Sequence, residues 1–296
     1  VYRNTGSPES PTWSLWAAFS SEPRLLAFSQ AGAVAHVPLR HGTMFASIDD
    51  GTTWIEAANG IHNEFVGSLA ARSVGTESVI WAGSDRGTAV TATLFPDGAW
   101  ARAPAFDQGV FRLVPHPTDA GVLFAGTERA GVWKSADWGM TWTQRSAGLV
   151  PRAVYVLAQS ATHPSTVFAA TSSGPFLSRD GGSSWRSVAD QVLHPSYVLA
   201  LTVLPDSLGT VYLGTADGHV FTSFDGGTYI ERSDGLPAAP ILDLEWDGYT
   251  LLAVAGSTLF RLDPVTGRWH QDPTALAVRA MSASPAVQGI MYLGTA

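Results

Sequence analysis

Residues 111–142 read FRLVPHPTDAGVLFAGTERAGVWKSADWGMTW. The same order of runs and turns returns in 155–185, YVLAQSATHPSTVFAATSSGPFLSRDGGSSW, and in 198–229, VLALTVLPDSLGTVYLGTADGHVFTSFDGGTY. Each stretch holds an apolar run, a Pro-marked turn, a second run ending in Gly-Thr or Ala-Thr, a third run, and a tight Asp/Gly turn before a last short strand. Short runs broken by turn residues at roughly 8–12-residue intervals predict antiparallel strands, here four to a unit. The aromatic that closes each unit belongs to a longer series: Trp13, Trp54, Trp100, Trp142, Trp185, Tyr229 and Trp269, with steps of 41, 46, 42, 43, 44 and 40 residues. Continuing from Trp269 through the C-terminus to Trp13 adds a further step of 40. A period of about 40–50 residues that closes on itself across the termini describes a ring of repeats.

A four-stranded sheet with two apolar faces is unstable alone, whereas seven set radially cover one another and leave only short edges. The predicted fold is therefore all-β: a single seven-bladed β-propeller over residues 1–296, in four-stranded antiparallel blades. The blades fall at approximately 18–63, 64–109, 110–150, 151–194, 195–237, 238–277, and 278–296 plus 1–17. Inner strands are expected to start near Leu15, Val66, Phe111, Tyr155, Val198, Ile241 and Val278. The C-terminal VRAMSASPAVQGIMYLGTA supplies only two strands of the seventh blade. Val1-Tyr2-Arg3-Asn4 matches Val132-Trp133-Lys134-Ser135, and Pro11-Thr12-Trp13 matches Met140-Thr141-Trp142, so N-terminal strands complete it.

Composition agrees with sheets buried on both faces. Charged residues are 14 %, against about 25 % for an average globular chain, while 45 % are hydrophobic and 30 Gly and 18 Pro serve many turns. The net charge is −8 and Lys134 is the only lysine, so no basic stripe exists to neutralise nucleic-acid phosphates. No run of 18 apolar residues predicts a transmembrane segment, and Val1–Ser10 lacks the charged and apolar regions of a signal peptide. With zero cysteines there are no disulfides or thiolate metal sites. The eight histidines show no metal-ligand spacing, and neither a Gly-rich phosphate loop nor a Gly-x-Ser-x-Gly elbow occurs, so no metal or cofactor is expected.

The turn before the closing aromatic carries a sharper pattern, Ser-x-Asp-x-Gly-x-Thr/Ser-Trp, as SIDDGTTW (47–54), SADWGMTW (135–142) and SRDGGSSW (178–185), with SFDGGTY (223–229) ending in Tyr229. Asp49, Asp137, Asp180 and Asp225 are placed to accept backbone N–H bonds within the turn. Gly51, Gly139, Gly182 and Gly227 are placed to take positive φ, and Trp54, Trp142 and Trp185 to cover the turn. Four copies in phase resemble the Asp-box (BNR) repeat of sialidases, xyloglucanases, sortilin-type receptors and photosystem II assembly factors. That resemblance covers the whole chain, with degenerate boxes near Trp13, Trp100 and Trp269. It implies that the boxes sit on the outer rim, between third and fourth strands, away from the ligand face.

Function is less determined. Propeller ligands usually meet the loops leading into each inner strand and the loops between second and third strands. An excursion at 29–42, SQAGAVAHVPLRHG, breaks the repeat, and such loops are where function is added. The candidate binding face is His36, Arg40, Glu64, Arg86, Arg129, Arg152, His194 and His219. The candidate catalytic acids are Asp243, Glu245 and Asp247 in ILDLEWDG, which period-2 spacing puts on one strand face, opposite Leu242, Leu244 and Trp246. Two close carboxylates with separated pKa values can hydrolyse a glycoside. The same residues also read as polar lining of an axial channel, paired with Arg112 or Arg279.

The resemblance sharpens what kind of enzyme is excluded. Sialidases have six blades and an Arg-Ile-Pro motif that this chain lacks; xyloglucanases hold substrate between two seven-bladed rings. Single-ring relatives of the photosystem II type are assembly factors. The leading expectation is a non-catalytic scaffold or subunit that binds a protein partner or larger complex through its loop face. The alternative is an extracellular carbohydrate-active protein, either glycoside hydrolase or glycan binder, using Asp243, Glu245, or rim aromatics such as Trp81 and Trp246. The family resemblance implies an exported protein, periplasmic or extracellular.

Overall fold

The computed structural model describes residues 1–4, 12–20, 23, 27–28, 35–39, 43–57, 60–61, 64–74, 77–91, 100–103, 109–150, 153–188, 197–206, 209–274, 276–283 and 290–295. Their strands form seven four-stranded antiparallel sheets. Inner strands are Ala27–Phe28, Val66–Val74, Val110–Pro115, Val154–Gln159, Val198–Val203, Ile241–Trp246 and Val278–Ala283. The chain then steps outward through three more strands per blade, giving a seven-bladed propeller.

The seventh blade is shared between the two ends of the chain. Its order is Trp13–Leu15, Tyr2–Asn4, Met291–Thr295, Val278–Ala283. Tyr2 pairs with Leu293 and Arg3 with Tyr292, and Tyr2, Arg3 and Asn4 pair in turn with Leu15, Ser14 and Trp13. Leu15 thus belongs to an outermost strand, and the first inner strand starts at Ala27. Pairing with Tyr2–Asn4 fixes Trp13–Leu15 as the outermost strand of the seventh blade. The 29–42 excursion also differs from a plain loop: Ala35–Pro38 is the second strand of blade 1, paired with Met44–Ser47.

The core consists of wedges between blades. Each of the seven buried apolar clusters draws on two neighbours, as where Phe124 and Val132 of blade 3 meet Leu157, Phe176 and Trp185 of blade 4. Radial packing therefore covers both faces of every sheet.

The Ser-x-Asp turns join third to fourth strands and close on themselves. In blade 3, Ser135 Oγ donates to Asp137 Oδ1 (2.8 Å) and accepts from Gly139 N–H (2.8 Å). Thr141 donates to the same carboxylate through N–H (2.8 Å) and hydroxyl (2.6 Å). Blades 1 and 4 repeat this set around Asp49 and Asp180. In blade 5 the turn is one residue shorter, and Gly226 rather than Gly227 takes the left-handed conformation (φ 65°) and bonds Ser223 Oγ. The missing residue is the one occupied by Asp50, Trp138 and Gly181, all at positive φ.

The closing indoles dock in two ways, on their own turn or on the preceding blade, as where Trp13 of blade 7 donates to Asp272 Oδ1 of blade 6 (3.3 Å). In blades 1 and 3, Trp54 and Trp142 donate to Gly51 and Gly139 carbonyls of their own turns. In blades 2, 4 and 6, Trp100, Trp185 and Trp269 reach back to the Ala57, Arg145 and Arg232 carbonyls of the preceding blade. Three residues past each of those carbonyls lies Gly60, Gly148 or Gly235, at φ 99°, 84° and 95°. A Cβ there would sit 2.7, 2.2 or 2.1 Å from the carbonyl oxygen of Trp100, Trp185 or Trp269.

Two outcomes test this architecture. Removing residues 1–15 uncovers the Met291–Thr295 edge and should lower the melting temperature by more than about 10 °C, since several kcal/mol of burial is lost; an unchanged thermal scan refutes the shared blade. Gly235→Ala should cost about 1–3 kcal/mol from backbone strain alone and more from the clash. Gly267→Ala, at φ 69° with nothing within 4 Å of its Cβ, should cost visibly less. Equal losses in calorimetry would show that the close approach to Trp269 contributes nothing.

Candidate functional site

Six inner strands share one irregularity. The register skips a residue after Val66, Val110, Val154, Val198, Ile241 and Val278. Such a bulge frees one residue from the ladder and re-aims its side chain. The freed residues are Gly67, Phe111, Tyr155, Leu199, Leu242 and Arg279, and Phe111, Tyr155 and Leu242 are each about three-eighths exposed (37, 37 and 38 %). The Phe111 and Tyr155 rings lie 5.7 Å apart. Turns between second and third strands bond to the approach of the inner strands: Asp85 N–H to Phe65 O, Glu128 N–H to Gly109 O, Ala216 N–H to Tyr197 O. These turns and the mouth of the central channel consequently share one face. Phe65 and Tyr197 are also exposed there, completing an aromatic arc with Phe111 and Tyr155. Sequence reading missed the arc, although an aromatic stands beside the valine opening four inner strands: Phe65-Val66, Val110-Phe111, Val154-Tyr155 and Tyr197-Val198.

The candidate face residues are dispersed relative to this mouth. Arg86 and Arg129 are exposed on the second-to-third-strand turns of blades 2 and 3, Arg129 beside Glu128 at 3.3 Å. His219 is exposed on the same turn of blade 5, with Nδ1 2.7 Å from Glu231; that bond, with one from Ser233, lowers the Glu231 pKa. Glu64 and His36 do not reach the surface. Glu64 is buried, accepts from Ser84 Oγ (2.7 Å) and is ion-paired with Arg102. His36 lies inside blade 1, its pKa pushed down to about 4 by burial, so the ring is neutral. It occupies the second-strand position that is Phe124 in blade 3, which is a core position. Arg40, Arg152 and His194 lie outside the described residues. Trp81 is also buried, and Trp246 packs against the blade 6 core, so neither is a rim platform.

The three acids of blade 6 separate. Asp243 Oδ2 accepts from Met281 N–H (3.2 Å) and Glu245 Oε1 from Ala283 N–H (3.4 Å), both on the inner strand of blade 7. Ser68 does the same between blades 2 and 3, accepting from Leu113 N–H at 2.8 Å. An inner strand has no partner on its channel side, and these side chains supply acceptors for its N–H groups. Burial raises the Asp243 pKa, with Arg112 opposing. Burial and then the charge of Asp243 push Glu245 up to about 7. Asp247 is elsewhere: the strand ends at Trp246, and Asp247 caps the following turn through Tyr249 and Thr250 N–H. It pairs with Arg261 (3.2 Å), which also pairs with Asp272 (2.8 Å). Period-2 spacing fails there because the strand ends at Trp246 and the turn carries Asp247 out of the alternation.

The box acids are saturated by their own turns. Asp49, Asp180 and Asp225 are held at about 2, led by the Thr53 hydroxyl, the Ser184 hydroxyl and the Thr228 N–H respectively. Among the described residues no group of three His, Cys, Asp or Glu could hold a metal, and no helix is long and apolar enough to cross a membrane.

No family model matches the chain. A xyloglucanase of Hypocrea jecorina (strain QM6a) is 27 % identical over 208 residues, which is 63 % of this chain and 24 % of that enzyme. The chain thus spans about a quarter of the length of the curated relative it matches. Among solved structures, the GH74 xyloglucanase of Xanthomonas campestris superposes with a TM-score of 0.72 at 16 % identity, over 96 % of this chain and 52 % of that one. YCF48 bound to D1 peptide superposes at 0.67 and 15 %, over 94 % of both chains. The extracellular domain of a one-component system of B. thetaiotaomicron gives 0.71 and 16 %, over 94 % and 38 %. The fold is that of seven-bladed propellers whose structural neighbours include xyloglucanases, a photosystem II assembly factor and the extracellular domain of a one-component system.

Proposed function

We propose that this chain is a non-catalytic binding module that holds a polypeptide partner at the mouth of its ring. The observation that carries the reading is the exposed arc of Phe65, Phe111, Tyr155 and Tyr197, with Arg279 exposed at the equivalent bulge of blade 7. Exposed aromatics and arginine around a concave centre are the composition of interface hot spots. The placement of the carboxylates supports the same reading, since Asp243 and Glu245 brace a neighbouring strand and Asp247 is tied to Arg261. YCF48, of nearly the same extent as this chain, was solved with a bound peptide. The saturated Ser-x-Asp turns, taken as Asp-boxes, act as rim braces. An exported location is supported by the xyloglucanase and extracellular-domain neighbours.

A carbohydrate-active role is the second reading, favoured by the xyloglucanase relative and by the capacity of the same aromatics to stack on sugar rings. Affinity purification from the source organism separates the two. Defined polypeptide companions should accompany the wild-type chain and fall by roughly tenfold or more in Phe111→Ala/Tyr155→Ala, a loss above about 1.4 kcal/mol. Xyloglucan hydrolysis that disappears in Glu245→Gln would instead establish the enzyme.

Glu245→Gln also has a pH signature. A carboxyl whose folded pKa is raised to about 7 binds its proton more tightly when folded. Its contribution is favourable below pH 4.5 and is lost as pH rises towards 7. Thermal scans of the wild type should therefore fall between pH 5 and 8, and Glu245→Gln should flatten the profile and melt higher at pH 8. A profile unchanged by the substitution would show that Glu245 ionises freely.

A further inference from the structure

Below the bulges, the inner strands of blades 2 to 7 line the channel in two levels that the ladders keep in step. The first holds Ser68, Arg112, Val156, Ala200, Asp243 and Ala280. The second, two residues deeper on each strand, holds Glu245 in blade 6 and only Ala, Val, Thr or Ser in the others. Arg112 is exposed in the channel, and Asp243 and Glu245 are partly so. Directly above stands the aromatic arc, whose Phe111 and Tyr155 rings are exposed and 5.7 Å apart.

The channel charges do not balance. Blade 3 lies across the ring from blade 6, so one guanidinium faces two carboxylates. Arg112 and Asp243 are the charged groups that act on Glu245, and Arg112 does not offset the burial that raises both acids. Arg279 points into solvent at the bulge of blade 7 and is ion-paired with neither acid. Asp243 uses both oxygens on N–H groups, those of Leu244 (3.0 Å) and Met281 (3.2 Å). Glu245 uses only Oε1, on Ala283 N–H. Its Oε2 accepts no bond and is not sealed from solvent, so an ionised Glu245 keeps acceptor capacity turned to the channel.

We propose that the polypeptide held at the mouth inserts a lysine or arginine side chain into the channel, its stem against Phe111 and Tyr155 and its charge on Glu245 and Asp243. The proposal rests on the mouth being the binding face. Long cationic side chains lay their stems on apolar surface and carry the charge beyond it, and aromatic faces attract the cation on its way. An anionic tip would meet two like charges for one opposite.

The test titrates acetyl-Phe-Lys-Phe-amide into isotopically labelled protein by NMR at pH 8, with neutral norleucine replacing lysine in the control peptide. The lysine peptide should shift the Met281 and Ala283 amides saturably and bind roughly tenfold more tightly than the control. Glu245→Gln should erase that advantage. Arg112→Gln removes the competing cation and should tighten the lysine peptide alone, by about threefold or more, a gain that misfolding cannot produce. In the wild type the advantage should shrink as pH falls from 8 to 5.5 and Glu245 takes up its proton. Equal affinities of the two peptides overturn the proposal and leave the mouth as the binding face. Absence of saturable shifts with either peptide at millimolar concentration overturns both. A lysine advantage that survives Glu245→Gln and does not grow in Arg112→Gln also overturns it.

Discussion

Every blade presents two apolar faces, so none is covered until it has a neighbour on each side, and the ring holds only if it has no end. That condition is met by a short pairing, Tyr2 with Leu293 and Arg3 with Tyr292. The inter-blade wedges, the saturated turns and the central channel all presuppose it. Without the seam, Val1 and Ala17 would leave the cluster they form with Phe28, Ala35 and Tyr292, and the outer face of blade 1 would meet water.

Near-symmetry makes departures from it informative, because each position has siblings that show its ordinary role. The second-strand position of Phe124 is aromatic in blades 2, 3, 4, 5 and 7, and its occupant in blade 1 is His36, which explains why an apparently functional histidine is buried and neutral. The first bulge position is Gly, Phe, Tyr, Leu or Arg according to blade, so packing does not fix its identity. Asp243 gains meaning beside Ser68: both fill the same need for an acceptor on an unpartnered strand edge, one with a charge and one without.

The architecture was readable in the sequence because blade number, blade order and the shared seventh blade all depend on spacing, and spacing survives in one dimension. Residues whose fate depends on which side of a strand faces a neighbour were not readable. Trp81 and His36 look like rim or loop residues until their strand is known to lie second in a blade. Asp247 shares a period with Asp243 and Glu245, yet the strand ends at Trp246 and a turn takes Asp247 out of the alternation on which that grouping rested. Gly227 aligns with Gly182 by eye, but hydrogen bonding to Ser223 selects Gly226 once the turn is seen to be a residue short. Phe65, Phe111, Tyr155 and Tyr197 were hidden by their chemistry, since an aromatic at the start of a strand ordinarily signals a core.

The attachment of the closing indoles gives the ring a grain. Trp100, Trp185, Trp269 and Trp13 tie blade 2 to blade 1, blade 4 to blade 3, blade 6 to blade 5 and blade 7 to blade 6. In the first three ties the indole lies later in the chain than the group it reaches, so each can be made as soon as its own blade exists. The fourth runs the other way, from residue 13 to residue 272, and waits until nearly the whole chain is present. One end of the ring thus fastens blade by blade and the other only at the finish.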